Sequence, residues 1–374
     1  MMKKFHNNSE KQSYILSFVK INIRLLFILF WLSCITGFIL LSYVSHYFVP
    51  QRSLSIYMWS DKIDESILQK FEKDTGIKIY VNYYESNEEL ITKFEIAKDL
   101  NCDIILPSEY IIQPLIQQGF LKKIDHSRCD FIDRLYPEFM NMSFDPANEY
   151  SLPIYWDVLG LGYTHSYFQD GLPSNSWNLI FNKKQVPCKQ ISMVDDSREA
   201  IFLSLKYLGW NSTQLNTQQL QTIEELFLAQ KSWVGAYTDF QQGYFLTSKT
   251  YPLVVGQRER IVREMLTDND LAFTIPDEGT LLLISNIVIC ASSQKDDLVY
   301  QFINYIYNHE MMMLSCKEFC LLPTVKDVLE ELPQEYIGVQ DCLPGQKNFK
   351  KLQIFPNVLT QKQINDIWIA FKSF

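Results

Sequence analysis

Two places in this chain gather residue types suited to holding a small ligand. Trp59 closes the run LSIYMW and is followed by Ser60 and Asp61, while Ser108 and Tyr110 close the run CDIILPSEY. Both runs are β-branched and aromatic and read as strands. An indole, a phenol, hydroxyls and a carboxylate at strand ends can line a cleft. No reaction signature accompanies them: the chain lacks GxSxG, HExxH and a phosphate-loop lysine motif, and its five histidines have no metal spacing. Neither an enzymatic role nor a cofactor or metal is expected.

The elements between these residues must place them together. DESILQKFEKDTG carries apolar residues at helical spacing and closes on Gly76, and IKIYVNYY is again strand-like. SNEELITKFEIA opens with Ser86 and Glu89 at the spacing of a capping box. Strand, helix, strand, helix, strand argues for parallel βαβ units. In such sheets ligands sit beyond the carboxyl ends of the strands, which is where these five residues fall.

The chain has 374 residues, enough for two lobes with substantial cores. A net charge of −9 disfavours non-specific nucleic-acid binding and is compatible with steering small cations. At the N-terminus a basic head, residues 1–24, precedes an apolar run over 25–49. That run is long enough for a transmembrane signal anchor with a cytoplasmic N-terminus. Lipidation at Cys34 and a cleaved signal are the rivals, and all three export the body. The eight cysteines, Cys316 and Cys320 included, are read as buried free thiols.

Farther along, Asn141 to Tyr163 reads as a passage between lobes, with a turn, a proline and a glycine-spaced strand. Strands are expected at 191–194, 236–240, 252–256 and 281–291, and helices at 198–208, 222–230, 297–308 and 361–374. Asp196-x-x-Glu199 has the form of a helix N-terminal capping box.

The words YMWSD, FEKDTGIK, YYESNEEL, DIILPSEY, FDPANEYSLPIYW, VDDSREA, PDEG and LPT occur in this order between about Leu54 and Lys326. In this the chain resembles the spermidine/putrescine-binding periplasmic proteins of ABC importers. The resemblance implies an α/β fold of the two-lobed, type II periplasmic-binding kind with a hinged cleft. It would place the first lobe at 53–158 and 282–330 and the second at 159–281 and 331–374. It also implies a polyamine or similar small cation as ligand, a membrane permease as partner, a monomer, and a periplasmic location.

A polyamine needs carboxylates for its ammonium groups, because an unpaired buried charge is very costly. It also needs aromatic faces for its methylenes and charge. By the resemblance Trp59, Ser60, Asp61, Ser108, Tyr110, Asp196 and Glu199 contact the ligand, and Asp157, where the family has glycine, adds a carboxylate. The chain departs from the family at Lys62, Val255, Leu283, Ser285 and Leu322, which stand where cleft aromatic or acidic residues are expected. A lysine at 62 would oppose an ammonium unless it faced solvent, and it opens the alternative of an amino-acid-like solute. A scaffold or sensor that keeps the fold is the other alternative.

Overall fold

The β-branched and aromatic runs form twelve strands among the described residues: β1 (Ser53–Met58), β2 (Lys78–Tyr83), β3 (Ile104–Ile105), β4 (Leu121–Lys122), β5 (Ser151–Thr164), β6 (Ile191–Met193), β7 (Ala236–Tyr237), β8 (Leu253–Gln257), β9 (Leu271–Thr274), β10 (Thr280–Cys290), β11 (Leu322–Pro323) and β12 (Leu352–Gln353). The structure, a computed structural model, describes residues 29–37, 52–96, 101–187, 189–210, 214–355 and 359–373. Residues 54–374 form one compact unit and 1–53 another. Of the latter, residues 29–37 are helical. The expected anchor over 25–49 lies mostly outside the described residues. Among the described residues no helix is long and apolar enough to cross a membrane.

The strands run in the order β2-β1-β3-β10-β5-β8-β6-β7. β1 and β3 are parallel, and β6 is parallel to both β7 and β8. Two long antiparallel strands, β5 and β10, pair from Leu282–Val158 to Val288–Ser151. Past that point β5 leaves β10 and pairs with β8 and β9 from Leu159 onward. One strand therefore serves two sheets.

The helices start and stop for local reasons. The helix Glu65–Thr75 is capped by Asp64, which accepts from the Ser66 amide at 2.8 Å, and it ends at Gly76 in the left-handed region with φ 70°. The helix Asn87–Ile96 has Ser86 accepting from the Glu89 amide at 3.1 Å. The helix Ser197–Tyr207 is capped by Asp196, and Gly209 beyond it has φ 70°. Sequence periodicity missed the helices Arg258–Met265 and His309–Phe319.

Two main cores follow the two sheets. The first takes β5 as far as Val158 and β10 from Leu282; the second begins at Leu159 and holds Leu281. The expectation that 331–374 belongs to the second lobe needs correction. Leu332, Ile337, Val339, Cys342 and Leu352 bury their side chains in the first core, and only from Phe355 does the tail join the second. Four of these five are branched aliphatics spaced too irregularly to mark an element, so the sequence carried no sign of where they pack. The seven described cysteines carry free thiols; six are buried as expected, whereas Cys34 is exposed.

A fully buried arginine links the two lobes where β5 passes between them. Arg258 donates through Nε to Asp157 Oδ1 at 2.8 Å, through Nη1 to the carbonyls of Tyr336 at 2.6 Å and Ile337 at 2.9 Å, and through Nη2 to the Cys320 carbonyl. Its side chain is 0% exposed and that of Asp157 9%. Removing one partner of a buried ion pair leaves the other charge uncompensated, at a cost of about 3–5 kcal/mol. Arg258→Met is expected to lower unfolding free energy by about that amount in urea titration. A loss below about 1 kcal/mol, the value of an exposed pair, would mean the rivet carries little of the fold's stability.

Candidate functional site

The carboxyl ends of the parallel strands in both sheets open on one cavity of ≈ 210 Å³. Trp59 and Asp61 follow β1, Glu88 follows β2, and Ser108, Glu109 and Tyr110 follow β3. From the second lobe come Asp196 and Glu199 after β6, Asp239 after β7, and Glu259 and Arg260 after β8. Ser285 of β10 and the buried Trp156 of β5 complete the wall. This is the position in which α/β sheets hold ligands.

The acids are placed by helices. Glu88, Glu109, Glu199 and Glu259 each lie in the first turn of the helix that follows their strand. The positive end of a helix dipole favours a negative side chain there. Four helix starts thus hold four carboxylates around a common space.

The acids fall into two groups by what neutralises them. In one, Lys62 Nζ lies 3.0 and 3.2 Å from the Glu259 carboxylate oxygens and 3.8 Å from Asp61, and Arg260 Nη2 lies 3.2 Å from Asp61. Burial raises the Asp61 carboxyl, but Lys62 and Arg260 outweigh it and hold the group below its ordinary value. Burial likewise lowers the Lys62 ammonium, and Glu259 and Asp61 outweigh it and hold that group up.

The other group lacks such partners. Glu199 is pushed well above its ordinary value by burial and by Asp196 and Asp239, with Gln257 Nε2 at 3.4 Å as its neutral donor. Asp196 is raised by burial despite bonding the Glu199 amide at 2.8 Å, and Asp239 is pushed to about 6 by burial. Burial takes Glu109 to about 7 although its Oε2 accepts from the Ile284 amide at 3.0 Å. Arg198 lowers Glu109 and Asp196, and Arg260 lowers Glu199, without offsetting burial. The Arg198 guanidinium lies over the Tyr110 ring, 4.5 Å from the centroid, and donates to Gln361 at 2.6 Å. An added cation would lower the energy of these four carboxylates together.

Of the residues expected at the site, Trp59, Asp61, Ser108, Tyr110, Asp157, Asp196 and Glu199 line this cavity. Ser60 does not: it is exposed in the turn after β1. Asp157 borders the cavity, yet its Oδ1 accepts from Arg258 and its Oδ2 from the Glu259 amide at 3.1 Å. Asp196 caps its helix and also faces the cavity, whereas Glu199 does not return the capping bond. Lys62, expected to oppose an ammonium unless it faced solvent, points inward with its side chain 12% exposed, and its charge is matched by Glu259. Ser285 and Leu283 line the cavity, while Val255 and Leu322 are buried in the cores.

Sequence reasoning missed Glu88, Glu109, Asp239, Glu259 and Arg260. The first two stand inside the quoted words YYESNEEL and DIILPSEY, and all five follow strand ends, so the rule that found Trp59 reaches them too. Asn87 was also missed. It donates to Ser108 Oγ at 3.1 Å and Tyr110 Oη at 3.0 Å, which locks both hydroxyls.

The fold and an acid-rich cleft between two lobes define a solute receptor. The family model described as bacterial extracellular solute-binding protein matches residues 66–338, and the chain belongs to that family. A relative, the putrescine-binding periplasmic protein SpuD of Pseudomonas aeruginosa, is 27% identical over 346 residues, covering 86% of this chain and 92% of its own. Among solved structures, the spermidine/putrescine ABC transporter substrate-binding protein PotD of Streptococcus pneumoniae superposes with a TM-score of 0.75 at 25% identity, covering 86% of this chain and 99% of its own. The Treponema pallidum lipoprotein Tp0655 (TpPotD) has a TM-score of 0.74 at 21% identity over 85% of this chain and 99% of its own, a likeness of fold.

The raised carboxyls have a pH signature. Glu109 binds its proton more tightly folded, at about 7, than at its ordinary 4.5. The stability this contributes is complete below about pH 4.5 and is lost as pH rises through 7. Without ligand, the melting temperature should therefore fall between pH 5 and 8 on this account, by an amount on the order of 3 kcal/mol in stability. Glu109→Gln should flatten that part of the profile, and identical slopes for the two proteins would rule out Glu109 as the source.

Proposed function

We propose that the chain is the extracytoplasmic solute-binding component of an ABC importer and captures a polyamine, or a similar small cation, between its lobes. The observation that carries the reading is the group formed by Glu109, Asp196, Glu199 and Asp239, whose carboxyls are raised by burial and by one another. The names of the relatives point to the same ligand class. Trp59 and Tyr110 supply faces for methylenes and charge, each such contact being worth roughly 0.5–2 kcal/mol. Asp157 serves to position Arg258 and Glu259 rather than to touch the guest. An amino-acid-like solute is disfavoured, because the cation that would meet its carboxylate, Lys62, already faces Glu259.

Lobe closure brings Asp196 and Glu199 against Trp59 and Tyr110, and ligand shifts the population toward that closed form. The closed receptor then docks on a permease as a monomer. The apolar run over 25–49 supports a tether that holds the body at the outer face of the membrane.

A thermal-shift series tests the ligand. Putrescine at a hundred times its Kd should add about 2.7 kcal/mol to stability, and a protein unmoved by any amine would lose this reading. A second test separates recognition from capping at Asp196. Asn caps as well as Asp, so Asp196→Asn should leave stability within about 0.5 kcal/mol and weaken amine binding at least tenfold. Asp196→Ala should lose binding and about 1 kcal/mol of stability as well. Unchanged affinity in the Asn variant would leave Asp196 as a cap alone.

A further inference from the structure

The two acid groups differ in one respect that bears on which amine fits, an inference that rests on the cation-receptor reading above. Lys62 enters the cavity from the first lobe and sets its ammonium against Glu259, whose side chain is 1% exposed, and Asp61. Arg260 adds a second cation from the second lobe at Asp61. That side of the cavity already holds what a guest ammonium would bring. On the other side, Asp196, Glu199 and Asp239 face Glu109 and the rim carboxylate Glu88. There Arg198 acts on Glu109 and Asp196, Arg260 reaches Glu199 from the first group, no lysine enters, and the buried Asn87 Oδ1 has no hydrogen-bond partner among the described residues.

We propose that Lys62 is a built-in cation that occupies one half of the acidic cavity, so that the site takes short amines with one or two ammonium groups and discriminates against longer triamines. A guest ammonium docks among Asp196, Glu199, Asp239 and Asn87. A third amine on a longer chain is driven toward Lys62 and Arg260, where it meets like charge and carboxylates that already have partners. Ser285 in the same wall is neutral and offers no compensating charge. Discrimination of this kind arises from a repulsive element as much as from attraction.

The test compares putrescine with spermidine by calorimetric titration on the body from residue 54, which forms one compact unit. Putrescine should bind the native protein at least about tenfold more tightly than spermidine. Lys62→Met should tighten spermidine by at least about tenfold and change putrescine less than about threefold, because Glu259 and Asp61 become available to the extra amine. In Lys62→Met with Glu259→Gln the vacated volume remains but the vacated carboxylate does not, and the gain for spermidine should drop below about threefold. Lys62→Gln replaces the Met variant if the latter does not fold. Native preference for spermidine, or a spermidine-to-putrescine ratio unmoved by loss of Lys62, would overturn the proposal while the receptor reading stands. No binding of either amine to any of the proteins would remove both.

Discussion

The contact on which the rest of the molecule depends is the buried pairing of Arg258 with Asp157. Asp157 lies in β5 at the point where that strand passes from one core to the other, and Arg258 opens the helix that follows β8. The guanidinium reaches three carbonyls of the first lobe, so a residue of the second lobe is fixed against the first by four acceptors. The next residue along is Glu259, whose amide Asp157 also binds. One structural carboxylate thus sets the angle at which a second carboxylate enters the cavity. Removing either member of such a pair strands the other's charge, so Asp157 and Arg258 are retained or lost together.

The site itself shows how a protein gathers carboxylates that repel one another. Each of Glu88, Glu109, Glu199 and Glu259 stands at a helix start, where amide dipoles favour negative charge. That local support does not reach zero cost, as the raised Glu109, Glu199 and Glu259 carboxyls indicate. The residual cost is the source of affinity for a cation, which removes it on binding. The same logic explains why Asp61 differs. With Lys62 and Arg260 beside it, its carboxyl is held down and has little left to offer.

Much of this was legible in the sequence, and what was not has a common reason. The βαβ order from Leu54 to Tyr110, the caps at Ser86 and Asp196, and the glycine stops at Gly76 and Gly209 are local, and local chemistry reads well from a single chain. Trp59, Asp61, Ser108 and Tyr110 were reached through the strand-end rule. Ser60, one residue from two of them, faces solvent because the direction of a side chain within a turn is not encoded by spacing. The roles of Asp157 and Lys62 were obscured because their partners lie 101 and 197 residues downstream. The helix Arg258–Met265 escaped because only Ile261 and Val262 among its apolar residues are buried, too few to register against five charges. The resemblance placed residues 331–374 in the second lobe, while the packing of 332–352 is decided by a handful of aliphatic side chains in the first core.

β5 gives the molecule a mechanical character. Its fourteen residues are continuous, all but one of them buried, and seven of them pair with β10 across a register shift between Ser285 and Asn286. The lobes are joined where these two strands part, at Val158–Leu159 and Leu281–Leu282, so an opening rotation has to be taken up in continuous strand backbone rather than in a slack tether. Such a joint keeps the swing to few paths, a property set by strand continuity and independent of which guest the carboxylates hold.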